Sequence, residues 1–232
     1  MFKNEVPTAK GEQTRTAIFE TALELFRDRG FDNTTMQEIA AAAGVAKSAA
    51  YYYFPSKEAI VTAYYEAIQA EQERLCAEVF ARTEDLRSRL EAALMTKFDL
   101  AQNDRKLLGI IFRYAGEPLH PLSCLGEATQ EIRHRAMRSF SEALLTERLP
   151  KDLEQLLPLA LWSLQMGLLV LFLYDSTKGQ VRTRKLAAGA LSLTQKLLTL
   201  AKLPLLKPVR IRLLKLLEEA SLLPDLRESF TK

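Results

Sequence analysis

Hydrophobic residues recur every three or four positions along most of this chain, and that spacing predicts α-helices with one buried face. The pattern is clear in the first predicted helix, residues 12–29, whose apolar positions are Ile18, Ala22, Leu25 and Phe26. Gly30 follows directly and is a favourable residue for a helix end. Residues 1–11 are polar and lack the pattern, so we expect a flexible arm there.

Seven later segments show helical spacing, and prolines or polar loops separate several of them. The predicted helices span residues 57–82, 86–103, 105–115, 125–148, 152–174, 183–202 and 209–222. Two shorter helices are predicted before them, which makes about nine to ten helices in total. We therefore predict an all-α fold.

The two shorter helices are joined by a tight turn. Thr35 and Glu38 have the spacing of a capping box, which predicts that the first of these helices begins beside Thr35. Gly44 can adopt the positive φ that ends this helix and turns the chain. The second is predicted over residues 46–54, because Pro55 disfavours helical geometry in the residue before it.

Small and apolar residues in this segment have helix-turn-helix spacing. The residues concerned are Ala40, Gly44, Val45, Ala50 and Tyr53. The side of the second helix that faces away from them carries a cation, a hydroxyl and two phenols: Lys47, Ser48, Tyr51 and Tyr52. A short helix with these groups fits the major groove of DNA and can hydrogen-bond phosphates and base edges.

This segment resembles the DNA-binding signature of the TetR family of transcriptional regulators. The resemblance rests on the Gly44-Val45 turn, the aromatic run from Tyr51 to Phe54, and the Pro-Ser-Lys-Glu sequence at residues 55–58. The amphipathic helix before it, closed by Gly30-Phe31, also matches. The resemblance covers about residues 12–65, and beyond them it rests on length and the all-helical pattern.

The resemblance implies DNA-binding roles for seven residues. Positions that contact phosphates are matched by Thr35, Tyr51, Tyr52 and Lys57. Positions near base edges are matched by Ala46, Lys47 and Ser48. A two-fold dimer would place two such helices in successive major grooves, about 34–36 Å apart, and so read a palindromic operator in double-stranded DNA. The most direct expectation is therefore a homodimeric repressor that a small molecule releases from its operator.

The resemblance also implies a division of the chain. The expected parts are a helix-turn-helix domain at residues 12–56, an effector-binding and dimerisation domain at residues 57–204, and a C-terminal extension with a short amphipathic helix at residues 205–232. Residues 57–82 form the helix that links the first two parts. The homodimer is expected to form through the helices at residues 152–174 and 183–202, as a four-helix bundle with their symmetry mates.

The effector is expected to be a small, largely apolar molecule held in the second domain. The candidate pocket residues are Phe98, Phe112, Arg113, Tyr114, Trp162 and Met166. Aromatic stripes of this kind are also what an ordinary helical core contains. Arg113 is a candidate to hold an anionic ligand, although an ion pair with Glu117, four residues later, is the simpler interpretation.

The segment from Leu156 to Tyr174 is apolar enough to raise the question of a membrane span. Ser163 and Gln165 lie near its middle, no second span accompanies it, and basic residues follow it. A span in that orientation would place the helix-turn-helix outside the cell. We therefore predict a helix buried on several faces, no membrane partner and a cytoplasmic location. Reduced thiols are expected at Cys76 and Cys124.

Composition and motifs argue against an enzyme. The 232 residues are 48% hydrophobic and 26% charged, as is typical of a soluble globular protein. The sequence has no glycine-rich phosphate loop, nucleophile elbow or metalloprotease motif. With only two histidines, His120 and His134, we predict no catalytic site, no metal site and no cofactor.

The charge distribution leaves an alternative open. Residues 1–60 carry 7 Lys and Arg against 8 Asp and Glu, a net charge of −1, whereas residues 182–232 carry 11 against 4, a net charge of +7. DNA-binding domains usually have a basic surface. The alternative is therefore an all-helical small-molecule-binding or interaction protein without specific DNA binding.

Overall fold

The computed structural model describes residues 9–220 and Leu222, and within that part of the chain it contains ten α-helices and no strand. The helices are α1 (Ala9–Arg29), α2 (Met36–Ala42), α3 (Lys47–Tyr53), α4 (Lys57–Phe80), α5 (Leu86–Ala101), α6 (Arg105–Ala115), α7 (Gln130–Ala143), α8 (Lys151–Tyr174), α9 (Val181–Ala201) and α10 (Lys207–Glu219). The predicted all-α fold is confirmed. Residues 1–8 of the predicted arm, and residues 221 and 223–232 of the predicted extension, lie outside the described residues.

The helices divide into two compact units. The first unit comprises the described residues up to Ala67 together with Asp104–Thr129, and the second comprises Ile68–Asn103 together with the described residues from Gln130 onward. Helix α6 therefore groups with the helix-turn-helix, and the division falls within α4. The functional boundaries expected after residues 56 and 204 do not coincide with this division and stay a prediction.

The core of the first unit begins with α1, which buries Ile18, Ala22, Leu23 and Phe26. Leu23 is buried where Leu25 was expected, because a position three residues before Phe26 shares its face of the helix. Gly30 ends α1 at a φ of 88°, a conformation that glycine adopts without steric cost. The chain then folds back, so that the rings of Phe26 and Phe31 meet edge to face with centroids 5.2 Å apart.

The core of the second unit lies among α5, α7, α8 and α9. Its fully buried side chains include Leu90, Leu94, Phe98, Phe140 and Phe172. Phe98 of α5 and Phe172 of α8 stack with centroids 5.3 Å apart and ring planes 18° apart. Burial of each large apolar side chain contributes about 1.5–3 kcal/mol, so these aromatic and leucine residues dominate the stability of this unit.

Helix α8 is, among the described helices, the one long and apolar enough to cross a membrane by length and composition. It packs in the second unit against α7, α9 and α10. Gln165 at its middle is fully buried and donates hydrogen bonds to backbone carbonyls of α5. The side of α8 that carries Gln165 therefore belongs to the core of the second unit.

Helix α7 is shorter than the predicted helix over residues 125–148. The residues before it form turns, in which the Gly126 N–H donates to the Ser123 carbonyl at 3.1 Å. The Thr129 hydroxyl donates to the same carbonyl at 2.5 Å, so this carbonyl is occupied by turn contacts and the helix begins only at Gln130. After Ala143 the chain tightens into a short 3₁₀ turn, Leu144–Thr146.

Helix α10 is attached to the second unit by a buried arginine. The Arg210 guanidinium forms an ion pair with Asp152 at the start of α8. It also donates to the carbonyl of Ala201, the last residue of α9, and to that of Leu203. Arg212 and Lys215 of the same helix remain exposed. The basic residues of α10 thus have two different environments. Arg210 is buried and positions the helix, whereas Arg212 and Lys215 lie on the surface.

Candidate nucleic-acid interface

The first helix of the helix-turn-helix starts at the predicted capping box. The Glu38 N–H donates to the Thr35 hydroxyl oxygen at 3.2 Å, and the Thr35 N–H and hydroxyl both donate to the Glu38 carboxylate at 2.8 Å. These bonds lower the pKa of Glu38 below its ordinary value. The Thr35 hydroxyl is thus both donor and acceptor within the cap. Its expected phosphate contact would have to share these bonds and stays a prediction.

The turn between α2 and α3 depends on Gly44. Its φ is 68°, and the N–H groups of Gly44 and Val45 donate to the carbonyls of Ala41 and Ala40 at 3.2 Å and 3.0 Å. This pair of bonds is a Schellman motif, which requires a left-handed residue and strongly favours glycine. The motif satisfies the last carbonyls of α2 and directs the chain into α3.

Two alanines allow α2 and α3 to pack closely. Ala40 is buried on α2 and Ala50 is fully buried on α3. Beneath the end of α3, Phe54 is buried, its ring stacks 6.4 Å from that of Phe19, and the Arg15 guanidinium lies 4.9 Å from its centroid. Small residues on one side and an anchored aromatic residue at the end hold α3 in a defined orientation.

The opposite side of α3 faces solvent. Lys47 and Ser48 are exposed, Tyr51 is 44% exposed and Tyr52 is 82% exposed. Within residues 9–220, no carboxylate forms an ion pair with Lys47. Ala46, which precedes the helix, is exposed as well. The helix therefore presents an unpaired ammonium group, a hydroxyl and two phenols to an incoming ligand.

Lys57, the remaining predicted phosphate contact, is directed into the first unit. Its Nζ donates to the Phe31 carbonyl oxygen at 2.6 Å and lies 4.5 Å from the centroid of the Phe31 ring. The side chain is half-buried. Lys57 thus ties the start of α4 to the loop after α1, a structural role that the sequence does not reveal. A phosphate contact by the same ammonium group stays a prediction.

A buried carboxylate joins three helices of the first unit. Asp104, just before α6, accepts a hydrogen bond from Arg27 Nε of α1 at 2.6 Å and from the Tyr64 hydroxyl of α4 at 2.9 Å. Burial, together with the negative charge of Asp104, raises the pKa of Tyr64. The arrangement links the helix that precedes the helix-turn-helix to α4 and α6.

We predict that Asp104→Ala destabilises the protein by about 2 kcal/mol, because it leaves the buried Tyr64 hydroxyl without an acceptor. Asp104→Asn should cost less than half as much, since its amide oxygen still accepts from Tyr64. Urea unfolding followed by circular dichroism measures both. Asp28→Ala, at a side chain 80% exposed, is the control and should change little. An equal cost for the alanine and asparagine variants would contradict this role of the Tyr64 hydrogen bond.

The predicted ion pair between Arg113 and Glu117 is wrong. Arg113 instead pairs with Asp32 at 2.7 Å, and the Tyr114 hydroxyl donates to the same carboxylate. Hydrogen bonds from Tyr114 and Arg113 lower the pKa of Asp32. The pattern of α6 alone could not reveal this contact, because Asp32 lies 81 residues earlier in the chain. These bonds attach α6 to the loop after α1 within the first unit.

The six predicted effector residues fall into both units. Phe112, Arg113 and Tyr114 belong to the first unit, whereas Phe98, Trp162 and Met166 belong to the second. Neither unit by itself contains all six, so the effector pocket stays a prediction. No group of three or more His, Cys, Asp or Glu within the described residues is placed to hold a metal ion.

The first unit contains an open cavity of about 360 Å³. Its lining residues are Arg15, Tyr53, Phe54, Ser56, Glu58, Ala59, Thr62, Ala63, Glu66, Pro121 and Ala128. None of the six predicted effector residues is among them. Its lining also includes none of the exposed α3 residues Lys47, Ser48, Tyr51 and Tyr52.

Solved structures show the same fold. The fatty acid degradation regulator FadR from Bacillus halodurans aligns with a TM-score of 0.60 at 17% identity, covering 82% of this chain and 96% of that protein. FadR from Bacillus subtilis, in complex with stearoyl-CoA, aligns with a TM-score of 0.59 at 19% identity, covering 76% and 96%. At these identities the similarity is one of fold.

Sequence relatives are helix-turn-helix regulators. The regulator YdgC of Bacillus subtilis is 32% identical over 108 residues, which is 45% of this chain and 55% of YdgC. The activator FasR of Mycolicibacterium smegmatis is 34% identical over 112 residues, or 46% and 50%. The repressor KstR2 of Rhodococcus jostii is 33% identical over 85 residues, or 37% and 42%. The chain thus matches about half the length of these relatives.

Two family models match the chain. Residues 18–64 match the model of bacterial regulatory proteins of the tetR family, and residues 89–211, more than half of the chain, match the tetracyclin repressor-like C-terminal domain. The first match includes α2, the Gly44 turn and α3, and the second extends from α5 into α10. The chain belongs to the TetR family of transcriptional regulators.

Proposed function

We propose that this protein is a homodimeric, ligand-responsive repressor that binds a palindromic operator in the cytoplasm. The observation that carries the proposal is the outward presentation of Lys47, Tyr51 and Tyr52 on α3, whose other side is held by buried Ala50 and Phe54. An exposed helix with these groups can enter a major groove. Its cation and phenols can then hydrogen-bond phosphates and base edges.

The proposed contacts divide by chemistry. Tyr51 and Tyr52 supply hydroxyl donors for phosphate oxygens, which position the helix without reading sequence. Lys47 can donate to guanine O6 and N7 or to a phosphate, and the exposed methyl group of Ala46 can contact a thymine methyl. One helix of seven residues covers only a few base pairs, so specific recognition requires a second copy.

Exposed apolar residues on the second unit support the proposed homodimer. Leu186, Leu193, Leu197 and Leu200 are 51–56% exposed and follow one side of α9. Helix α8 has exposed small residues and then Leu171 and Tyr174 on one side. Contiguous apolar surfaces of this kind usually mark an interface. A two-fold pairing of α8 and α9 would bury them in a four-helix bundle.

Response to an effector requires two conformations that bind it differently. A shift of the population from 1:99 to 99:1 needs about 5.5 kcal/mol of differential affinity. We propose that the effector, a small and largely apolar molecule, favours a conformation whose heads are wrongly spaced for successive grooves. Release from the operator then relieves repression. KstR2 is named a repressor and FasR an activator, so both signs of regulation occur among the relatives.

A band-shift titration tests the proposal. Full-length protein should bind a fragment carrying the region upstream of its own coding sequence at least about a thousandfold more tightly than a scrambled fragment of equal length. The shifted species should contain two copies of the chain. Both fragments are compared at one fixed salt concentration, because phosphate contacts make affinity salt-dependent.

The alternative is an all-helical small-molecule-binding or interaction protein without specific DNA binding. The observation that favours it is the net charge of −1 in residues 1–60, where a DNA-binding domain is usually basic. Equal retention of both fragments, lost at modest salt, would support this alternative and exclude the repressor. Asp32, one of the acids in that count, is paired with Arg113, a cation from outside residues 1–60, which offsets one of the negative charges.

A further inference from the structure

The core of the second unit contains two glutamines whose oxygens have no partner. Gln72 of α4 and Gln165 of α8 are fully buried, and their Nε2 groups donate to the same carbonyl, that of Ala93 on α5, at 2.6 Å and 3.0 Å. The Oε1 atoms of both are buried without a hydrogen-bond partner. Reversing either amide would place its oxygen against the Ala93 carbonyl, so reversal does not remove the deficit.

A lysine lies on α5 one helical turn after Ala93, whose carbonyl both glutamines share. Lys97 of α5 is half-buried, and its Nζ donates to Gln69 Oε1 at 2.9 Å. Gln69 in turn donates to Glu73 at 3.1 Å. Within the described residues no carboxylate lies close enough to pair with Lys97, which has three donors and uses one. Burial lowers the pKa of Lys97 to about 8, against the opposing effect of Glu73.

The neighbouring charges do not neutralise Lys97. Glu73, the carboxylate whose charge acts on Lys97, is held by Arg135 through two bonds of 2.9 Å and 2.5 Å. The other acid of the cluster is Glu142, whose pKa is raised by burial and by the charge of Glu73. Arg138 lies near both acids but is itself paired with Glu131 at 2.9 Å. With Glu73 held by Arg135 and Glu142 less readily ionised, Lys97 is left without a counter-charge of its own, which favours an anionic ligand.

We propose that this cluster holds the polar end of the effector and that the effector is an amphiphilic organic anion. Lys97 binds its anionic group, and the oxygens of Gln72 and Gln165 accept hydrogen bonds from a hydroxyl or N–H group beside it. This inference rests on the proposed function, in which a small effector controls operator binding. Trp162, one turn before Gln165 on α8 and buried, would contact its apolar part once the ligand has entered the core.

The closed state of the core gives the ligand its effect on conformation. Gln72 and Gln165 have no exposed surface, so a ligand must displace side chains to reach their oxygens. Once bound, the ligand donates hydrogen bonds to the two glutamine oxygens, which have no donor in the ligand-free protein. It also supplies Lys97 with a counter-charge. A ligand shifts a conformational equilibrium through such interactions, present in one state and absent in the other.

Two fluorescent dyes test this site in the full-length protein without DNA. 8-Anilinonaphthalene-1-sulfonate has an apolar ring system, one N–H and a sulfonate, whereas N-phenyl-1-naphthylamine has the same rings and N–H without the anion. The wild-type protein should bind the sulfonate dye about tenfold more tightly than the neutral dye. Lys97→Met should weaken the sulfonate dye by about tenfold or more and leave the neutral dye within about twofold.

Gln165→Leu tests the second part of the proposal, the hydrogen bond from the ligand to the glutamine oxygens. Both dyes contain the N–H donor for that bond. The variant should weaken both by about fivefold. Lys151→Met, at an exposed lysine that begins α8, is the matched control and should change neither. Both core variants replace polar groups by apolar ones of similar volume, and circular dichroism checks that they fold.

Three outcomes would overturn the proposal. Equal wild-type affinity for the two dyes, which needs no variant, would exclude an anion site. An equal loss of affinity for both dyes in Lys97→Met would also contradict an anion site, because it would indicate general damage to the core. Unchanged dye binding in Gln165→Leu would show that the glutamine oxygens bind only water. Because no DNA is present, failure here leaves the operator result standing, and failure of the operator test leaves the dye result standing.

Discussion

Replacing Lys47 and Tyr52 by alanine is expected to weaken operator binding by roughly five-thousandfold. Each head would lose one charge-assisted hydrogen bond and one phenol contact, or about 2.5 kcal/mol, and the dimer would lose both sets. The fold should be unaffected, because Tyr52 is 82% exposed and Lys47 is exposed without an ion-pair partner in the part of the chain described. Band-shift titration measures the affinity and thermal unfolding the stability.

Two matched variants make this result specific. Tyr52→Phe removes only the hydroxyl and should weaken binding by about thirtyfold through the two heads, whereas Tyr53→Phe, at a half-buried neighbour, should have no effect. Lys106→Ala removes an exposed lysine from α6 of the same unit and should also have no effect. Unchanged affinity in the Lys47 and Tyr52 double variant would refute the proposed interface.

The salt dependence of the single variant Lys47→Ala shows which group the lysine contacts. If Lys47 neutralises one phosphate in each head, its loss should reduce the slope of log K against log salt by about 1.8 for the dimer. If it reads guanine instead, the slope should be retained and discrimination at one base pair of each half-site should be lost. The two outcomes assign the ammonium group to phosphate or to base.

Introducing two glutamates on α9, Leu193→Glu with Leu197→Glu, is expected to dissociate the dimer. Both leucines are more than half exposed in the single chain, and the proposed interface would bury them. Four lost leucine contacts across the two-fold axis, at about 1.5 kcal/mol each, predict a dimer Kd weaker by about 10⁴. Sedimentation analysis measures the dissociation, and operator affinity should fall with it, because one head reads only half of a palindrome.

The control adds the same charge elsewhere. Leu119 and Leu145 are 99% and 76% exposed and lie off the α8 and α9 helices, so Leu119→Glu with Leu145→Glu should leave the dimer intact. A dimer that persists in the α9 variant would place the interface on another surface. Dissociation in both variants would indicate that added negative charge, rather than loss of the leucine contacts on α9, separates the subunits.

The local features of the helix-turn-helix were readable from the sequence because each depends on residues close together in the chain. Thr35 and Glu38 cap a helix from three residues apart, and the Gly44 turn closes on Ala40 and Ala41. The side of α3 that carries Tyr52 follows from the helical period once Ala50 is assigned to the core. The bounds of α7 were less predictable, because turn contacts at Thr129 overrode the apolar period.

Contacts between distant residues were decided only by the tertiary structure. The Asp104 carboxylate meets Arg27 from 77 residues away, and Asp32 pairs with Arg113 rather than leaving it to the nearby Glu117. Gln165 was readable as a polar residue in an apolar segment, but its partner carbonyl lies 72 residues earlier. Periodicity assigns a side chain to the face of its own helix. Which helix it meets there depends on the packing of the whole unit. The exposed side of α3 could therefore be found from the sequence, whereas the polar centre of the second unit could not.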